Sequence, residues 1–158
     1  MGDASYLIGS SRTKSNSEPM PIPLDLQHAT EQFNRFLADA RDTAGLGTRN
    51  QAYTMVEGVL VVFRRRLSVE EAIRFAGVLP PVLRAIFVAD WDTAEPRRPF
   101  ADRETMTAEV QDLRRHHNFA PASAIADVAA ALRRNMDGDK LDRVLATLPE
   151  GAADFWKA

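Results

Sequence analysis

Apolar residues recur at intervals of three and four along the chain from about residue 24 onward, as they do on the buried face of a helix. No stretch shows the sustained alternation of apolar and polar residues that marks a half-buried strand. The pattern therefore predicts an all-α fold of about seven helices in a single bundle. The predicted helices cover about 25–44, 48–66, 68–79, 81–90, 102–117 and 121–136, and a seventh runs from Asp137 or Asp139 to Leu148.

Capping signals set several of these helix boundaries. Thr48 is followed three residues later by Gln51, and Ser68 in the same way by Glu71. Both pairs predict a capping box, in which each side chain bonds the other residue's backbone N–H group. Asp102 is the predicted cap of the fifth helix.

The inward positions of the predicted helices form one continuous core. The chain ends on an apolar aromatic pair that we expect to close this core. The predicted core positions are Phe33, Phe36, Leu37, Ala40, Ala44, Ala52, Val56, Val59, Leu60, Phe63, Val82, Leu83, Ile86, Phe87, Met106, Val110, Leu113, Ile125, Val128, Leu132, Met136, Leu141, Val144, Leu145, Leu148, Phe155 and Trp156.

Residues 1–23 break the helical pattern. Three prolines interrupt any period there, and Tyr6-Leu7-Ile8 is the main apolar segment. Such a segment buries too little apolar surface to offset the entropy lost on ordering. We therefore predict a flexible N-terminal tail over 1–23 and a single helical domain over 24–158. Met20 is an alternative translation start.

An internal repeat lies within the helical pattern. Residues 56–87, shifted by 69 positions, align without a gap on residues 125–156. The matches include Val59 with Val128, Arg64-Arg65 with Arg133-Arg134, Arg74 with Arg143, and Leu79-Pro80 with Leu148-Pro149. We expect a tandem duplication of a helix, helix, short-helix unit, with half-repeats at about 24–91 and 102–158.

Composition narrows the classes of function. Cysteine is absent, which excludes disulfides and thiolate chemistry. The longest apolar run, Val59 to Phe63, is far shorter than a membrane span, and the start of the chain lacks the pattern of a secretory signal. We therefore expect a cytoplasmic protein with no membrane partner. The net charge of −2 argues against a dedicated nucleic-acid binder.

Four arginine clusters stand out from this composition. They are Arg64-Arg65-Arg66, Arg97-Arg98, Arg114-Arg115 and Arg133-Arg134. Three of them fall in the last turn of a predicted helix, where cations stabilise the unpaired carbonyl groups, and we favour this interpretation. The alternative is an anion-binding or partner-binding surface, whose candidate residues are Arg64, Arg65, Arg66, Arg133, Arg134, Trp91, Arg97 and Arg98.

Other polar motifs predict no catalytic, metal or cofactor-binding residue. His116 and His117 are neighbours on a predicted helix and point about 100° apart, so they do not chelate one ion. His28 has no serine or cysteine partner in a recognisable motif. Acidic residues at 90, 92 and 95 flank Trp91 in the sequence. They could form a small polar site beside an aromatic wall, so an enzyme site near Trp91 remains an alternative.

The stretch from Arg49 to Trp91 resembles domain-of-unknown-function family 2267, a bacterial family of small helical proteins. The motif residues are Arg49-Asn50-Gln51-Ala52-Tyr53, Gly58-Val59-Leu60, Phe63-Arg64-Arg65-Arg66-Leu67, Glu71-Ala72, Leu79-Pro80 and Leu83-Arg84. The resemblance extends through Asp127-Val128-Ala129 and Leu148-Pro149 to Phe155-Trp156. It implies a bacterial cytoplasmic helical domain and carries no activity or cofactor.

These features favour a non-catalytic interaction or regulatory module that acts on a protein or small-molecule partner. The first alternative is an anion-binding or nucleic-acid-binding protein that uses the paired arginines. The second is an enzyme with a site near Trp91.

Overall fold

Residues 23–158, which the computed structural model describes, form eight helices and no strand. The helices are α1 Leu24–Thr43, α2 Arg49–Arg64, α3 Val69–Ala76, α4 Pro81–Val88, α5 Arg103–Asp112, α6 Ala124–Arg134, α7 Gly138–Leu145 and α8 Ala152–Phe155. They pack into one bundle, which confirms the predicted all-α fold. Within this range no helix is both long and apolar enough to cross a bilayer.

The capping residues form the local bonds that their spacing predicts. Thr48 and Gln51 accept hydrogen bonds from each other's backbone N–H groups, and Ser68 and Glu71 do the same. The carboxylate of Asp102 caps α5. These contacts satisfy N–H groups that would otherwise lack a partner in the first turn of each helix, so α2, α3 and α5 begin where the sequence indicates.

Helix α5 ends at Asp112, so the prediction that it continues to residue 117 is wrong. Asn118 explains the early end, because its Nδ2 donates to Val110 O at 2.6 Å and to Leu113 O at 2.7 Å. Arg114 turns the backbone at φ 54°. The side-chain amide thus satisfies two carbonyl groups that a longer helix would have bonded internally.

The end of the chain contains one more helix than predicted. Asp137 caps α7, and the single-turn helix α8 follows Gly151, whose φ is 99°. A Cβ atom on Gly151 would lie 2.7 Å from Cγ of Phe100. This close approach brings the loop before α5 against the start of α8.

Aromatic side chains fill the centre of the bundle. Phe63 of α2 lies 4.7 Å from Phe75, 5.0 Å from Phe155 and 5.4 Å from Trp156 between ring centroids. All four side chains are fully buried. Most predicted core positions are also buried, while seven lie half-buried at the margin of the core: Phe33, Ala44, Val82, Leu113, Met136, Val144 and Leu148.

The helices pack crosswise, because three helices from the first half of the chain each pack on a helix from the second half. Helix α1 packs on α6 and α2 packs on α5, while α3 packs on α7. Helices α3 and α7 have eight residues each and begin 69 positions apart. The core therefore depends on contacts between segments far apart in the sequence.

Candidate functional site

Arg64, at the end of α2, points into the protein. Only 5% of its surface is exposed. Its Nη1 donates to Phe87 O at 2.8 Å and to Ala89 O at 3.1 Å, and its Cζ lies 5.3 Å from the centre of the Trp91 ring. Burial lowers the pKa of Arg64. Arg64 lies in the last turn of α2, as predicted, and it also fastens the end of α4 to α2.

Arg66 is also buried, with 2% of its surface exposed. Its Nη1 donates to Val62 O and to Glu109 Oε2, both at 2.9 Å, while Nη2 bonds the other oxygen of Glu109. This bidentate pair holds α2 against α5 and lowers the pKa of Glu109. Arg66 is thus a structural cation inside the bundle and not part of a solvated cluster.

Arg133 and Arg134 have other partners. Arg133 donates from Nε to Trp156 O at 2.9 Å and from Nη1 to Asp142 at 2.9 Å. Arg134 forms a two-point contact with Asp39, at 3.0 and 2.7 Å, which lowers the pKa of that carboxyl group. The two arginine pairs are therefore held by different groups.

A cavity of about 180 Å³ lies between the end of α2, the start of α3 and the loop that follows α4. We call it the Trp91 cavity. It brings together four of the predicted site residues, Arg64, Arg65, Trp91 and Arg97. Its other lining residues are Leu67, Ser68, Val69, Thr93, Glu95 and Pro96. Trp91 is half-buried and packs against the core, so it forms a rigid wall.

Ion pairs surround the Trp91 cavity. Nε of Arg65 lies 3.2 Å from Glu95 Oε1, a charge contact without the alignment of a hydrogen bond. Arg97 lies 3.5 Å from Glu71. Arg98 does not line the cavity. Its guanidinium reaches Glu95 at 3.6 Å, and its backbone N–H bonds Arg65 O at 2.9 Å, which fixes the loop to α2.

An apolar groove that was not predicted from the sequence runs between α1 and α4. This α1–α4 groove has a volume of about 800 Å³. It is lined by Leu26, Gln27, Ala29, Thr30, Glu31, Pro81, Val82 and Ala85. Leu24 and Leu26 are 62% and 59% exposed. Both leucines lie outside the inward-facing positions of α1. This placement was the feature of the sequence from which an exposed apolar surface could have been predicted.

The prediction that His116 and His117 lie on a helix is wrong. His116 and His117 are exposed in the turn after α5, and Asp137 is bound to the first N–H groups of α7. Within residues 23–158, no three histidine or acidic side chains lie close enough together to hold a metal ion.

A family model described as "Uncharacterized conserved protein (DUF2267)" matches residues 33–155. The chain belongs to this family. The match confirms the resemblance that the motif residues indicate. The DUF2267 match covers every residue of the Trp91 cavity, whereas the part of α1 that lines the groove precedes it. No curated protein matches the chain.

Proposed function

We propose that the chain is a non-catalytic interaction module of the bacterial cytoplasm, which binds an amphipathic helical segment of a partner protein in the α1–α4 groove. The exposure of Leu24 and Leu26 beside this groove carries the proposal. Exposed leucines that adjoin an apolar groove are characteristic of surfaces that bind other proteins. Such a surface needs no catalytic group.

The shape of the groove supports a helical partner. Two neighbouring helices form its walls, with Leu26 and Ala29 on α1 and with Val82 and Ala85 on α4. The spacing of three on each wall places an apolar and a small side chain one helical turn apart. A third helix with apolar residues at three- and four-residue intervals fits this arrangement.

Charge at the groove further defines the partner. Glu31 lines the groove, and Asp25 lies in the first turn of the same helix. Arg84 of α4 directs its guanidinium to Ala76 O and Leu79 O, at 2.9 and 3.0 Å, and so does not neutralise them. We therefore expect the partner helix to have basic residues beside its apolar face.

The paired-arginine alternative has less support. A single surface for nucleic acid would need Arg64, Arg65, Arg133 and Arg134 to act on one ligand. Each pair instead has its own intramolecular partners, and Arg64 is buried.

We also propose that the module arose by tandem duplication. Arg64 bonds the carbonyl of Phe87 and Arg133 that of Trp156, and both residues of the second contact lie 69 positions after those of the first. The amide of Asn135 bonds Ala131 O at 2.7 Å, in the place where Arg66 bonds Val62 O.

The first helices of the two halves support the same proposal. Buried residues on α1 are Phe36, Leu37 and Ala40, and those on α5 are Met106, Thr107 and Val110, a shift of 70 positions. The same shift relates Asp39, which binds Arg134, to Glu109, which binds Arg66.

The groove is tested by selecting helical peptides from a displayed library on the native chain. Leu26→Glu places a charge in the groove at an exposed position, so the fold should survive. Ile73→Glu is the matched control, because Ile73 is similarly exposed, at 63%, on α3, which does not line the groove. We expect peptides with a basic flank that bind the native chain and the control and lose at least about tenfold affinity for Leu26→Glu.

Three results would contradict this function. The first is a set of peptides that binds Leu26→Glu as well as the native chain. The second is binding that appears only after residues 1–22 are deleted, which would show that the chain's own segment fills the groove. The third is a native dimer that Leu26→Glu dissociates, which would identify a second copy as the occupant.

A further inference from the structure

We propose that the Trp91 cavity binds a small oxyanion of about the size of a phosphate group, either free or carried by a metabolite. The site lies apart from the α1–α4 groove and does not depend on the function proposed for that groove. Its recognition groups are the guanidiniums of Arg64, Arg65 and Arg97 and the N-terminus of α3.

Arg64 provides the first indication of a ligand. Its Nε is buried and has no hydrogen-bond partner among residues 23–158, although the same side chain uses Nη1 for two carbonyl groups. An unpaired donor on a buried cation is unfavourable, because water is lost and nothing replaces it. The lowered pKa of Arg64 reflects this burial. An anion in the cavity would compensate the charge.

Arg65 repeats this feature on the neighbouring residue. Its Nε is also buried and lacks a hydrogen bond, since Glu95 is near enough to attract the charge but not aligned with the N–H. The charges of Arg64 and Arg65 repel each other. Both guanidiniums belong to residues that line the cavity, and adjacent guanidiniums form the arrangement that recognises phosphate and carboxylate groups.

The start of α3 faces the same cavity. Ser68 and Val69 line it, and the capping box of Ser68 fixes the backbone there. The first N–H groups of a helix carry partial positive charge and bind oxyanions. The helix and the guanidiniums therefore favour the same kind of ligand.

The side chains that line the cavity carry more positive than negative charge. Three arginines line it together with one carboxylate, that of Glu95. Glu71 lies behind Arg97 and binds it at 3.5 Å, so it offsets a second positive charge. The charge of Asp90 also acts on Arg64, so the nearby carboxylates equal the lining arginines in number. A small anion would therefore compete with these carboxylates for the guanidiniums.

The volume of the Trp91 cavity limits the size of the ligand. About 180 Å³ corresponds to roughly six water molecules at their liquid volume. A phosphate group fits this space, whereas a nucleotide would have to extend beyond it. Trp91 forms one wall, against which an apolar or aromatic part of a larger ligand could stack.

The second half of the chain supplies a matched control. Arg134 corresponds to Arg65 in the proposed duplication, because it also lies at the end of the second helix of its half. Its Nε and Nη2 donate hydrogen bonds to Asp39, and Nη2 also donates to Thr43. Asp137 stands where the first half has Ser68, so the equivalent helix start is capped by a carboxylate instead of a hydroxyl group.

The test is isothermal titration of the native chain with inorganic phosphate and, separately, with phenyl phosphate, at constant ionic strength and without carboxylate buffers. We expect saturable binding of one phosphate group per chain. Arg65→Gln should weaken it at least about tenfold, since a charge-assisted contact is lost. Arg97→Gln should weaken it several-fold, and Arg134→Gln should bind as the native chain does. Tighter binding of phenyl phosphate would assign the site to a phosphorylated metabolite, and tighter binding of inorganic phosphate to the free ion.

Two outcomes would overturn the proposal. One is the absence of saturable binding of either ligand up to about 10 mM. The other is equal affinity of Arg65→Gln, Arg134→Gln and the native chain. The helical circular dichroism of each variant establishes that it is folded. Arg97 is 56% exposed in its side chain, so Arg97→Gln decides the question if Arg65→Gln does not fold.

Discussion

The ion pair between Arg66 and Glu109 makes a strong prediction about stability. Arg66→Met keeps much of the side-chain stem but removes the charge, which leaves Glu109 without its main partner. Breaking a buried pair costs about 3–5 kcal/mol. The side chain of Glu109 is 20% exposed, so water partly restores its solvation. We therefore expect a loss near the lower end, about 3 kcal/mol in the free energy of unfolding.

Urea unfolding followed by circular dichroism measures this loss, provided that the slope of the transition is unchanged. A double-mutant cycle with Glu109→Gln isolates the pair itself, and we expect a coupling energy of more than about 1 kcal/mol. The matched control is Arg134→Met, which removes the exposed pair with Asp39 and should have a much smaller effect. A loss below about 1 kcal/mol for Arg66→Met, which is typical of a surface ion pair, would refute the reasoning.

The same pair predicts a pH dependence with a definite sign. The pKa of Glu109 is lowered from 4.5, first because Arg66 donates to it, so the folded chain binds this proton less readily than the unfolded chain. The stabilisation is therefore complete above about pH 4.5 and disappears as the pH falls through the lowered folded value. The difference in stability between the native chain and Glu109→Gln should shrink in that acidic range.

Two further substitution pairs test the packing by urea or thermal unfolding. Leu79 is 2% exposed, so Leu79→Ala should cost about 2–5 kcal/mol, and Leu148→Ala should cost less because Leu148 is half-buried. A neutral Leu148→Ala would argue against the proposed duplication. Gly151→Ala should cost more than about 1 kcal/mol, because φ is 99° and a Cβ atom would meet Phe100. Gly138→Ala, with open space around it, should be neutral or slightly stabilising. Equal effects of the two glycine substitutions would show that the contact with Phe100 relaxes at little cost.

Local signals in the sequence predicted the helices well. Ser68 and Glu71 are three residues apart, so the capping box that starts α3 depends on nothing distant. The end of α5 was not predictable in this way. Periodic apolar residues continue to Leu113, but the side chain of Asn118 folds back onto the last carbonyl groups. That contact depends on the path of the turn and not on helical spacing.

The burial of the arginines could not be predicted for a related reason. The partners of Arg64 lie 23 and 25 residues further on, and the partner of Arg66 lies 43 residues further on. A run of three arginines has the same pattern whether it is solvated or buried. The fold alone decides which guanidinium reaches a carbonyl or carboxylate. The sequence did identify Arg65, Trp91 and Arg97 as candidates, but it could not place them around one cavity.

The crosswise packing has a consequence for synthesis on the ribosome. Helix α1 is made before the helix on which it packs, α6 at Ala124–Arg134. Phe36, Leu37 and Ala40 therefore remain without part of their final covering while the segment between α1 and α6 is being made. An exposed apolar face of this kind is a target for chaperones that act on nascent chains. Completion of the bundle must await the emergence of the second half.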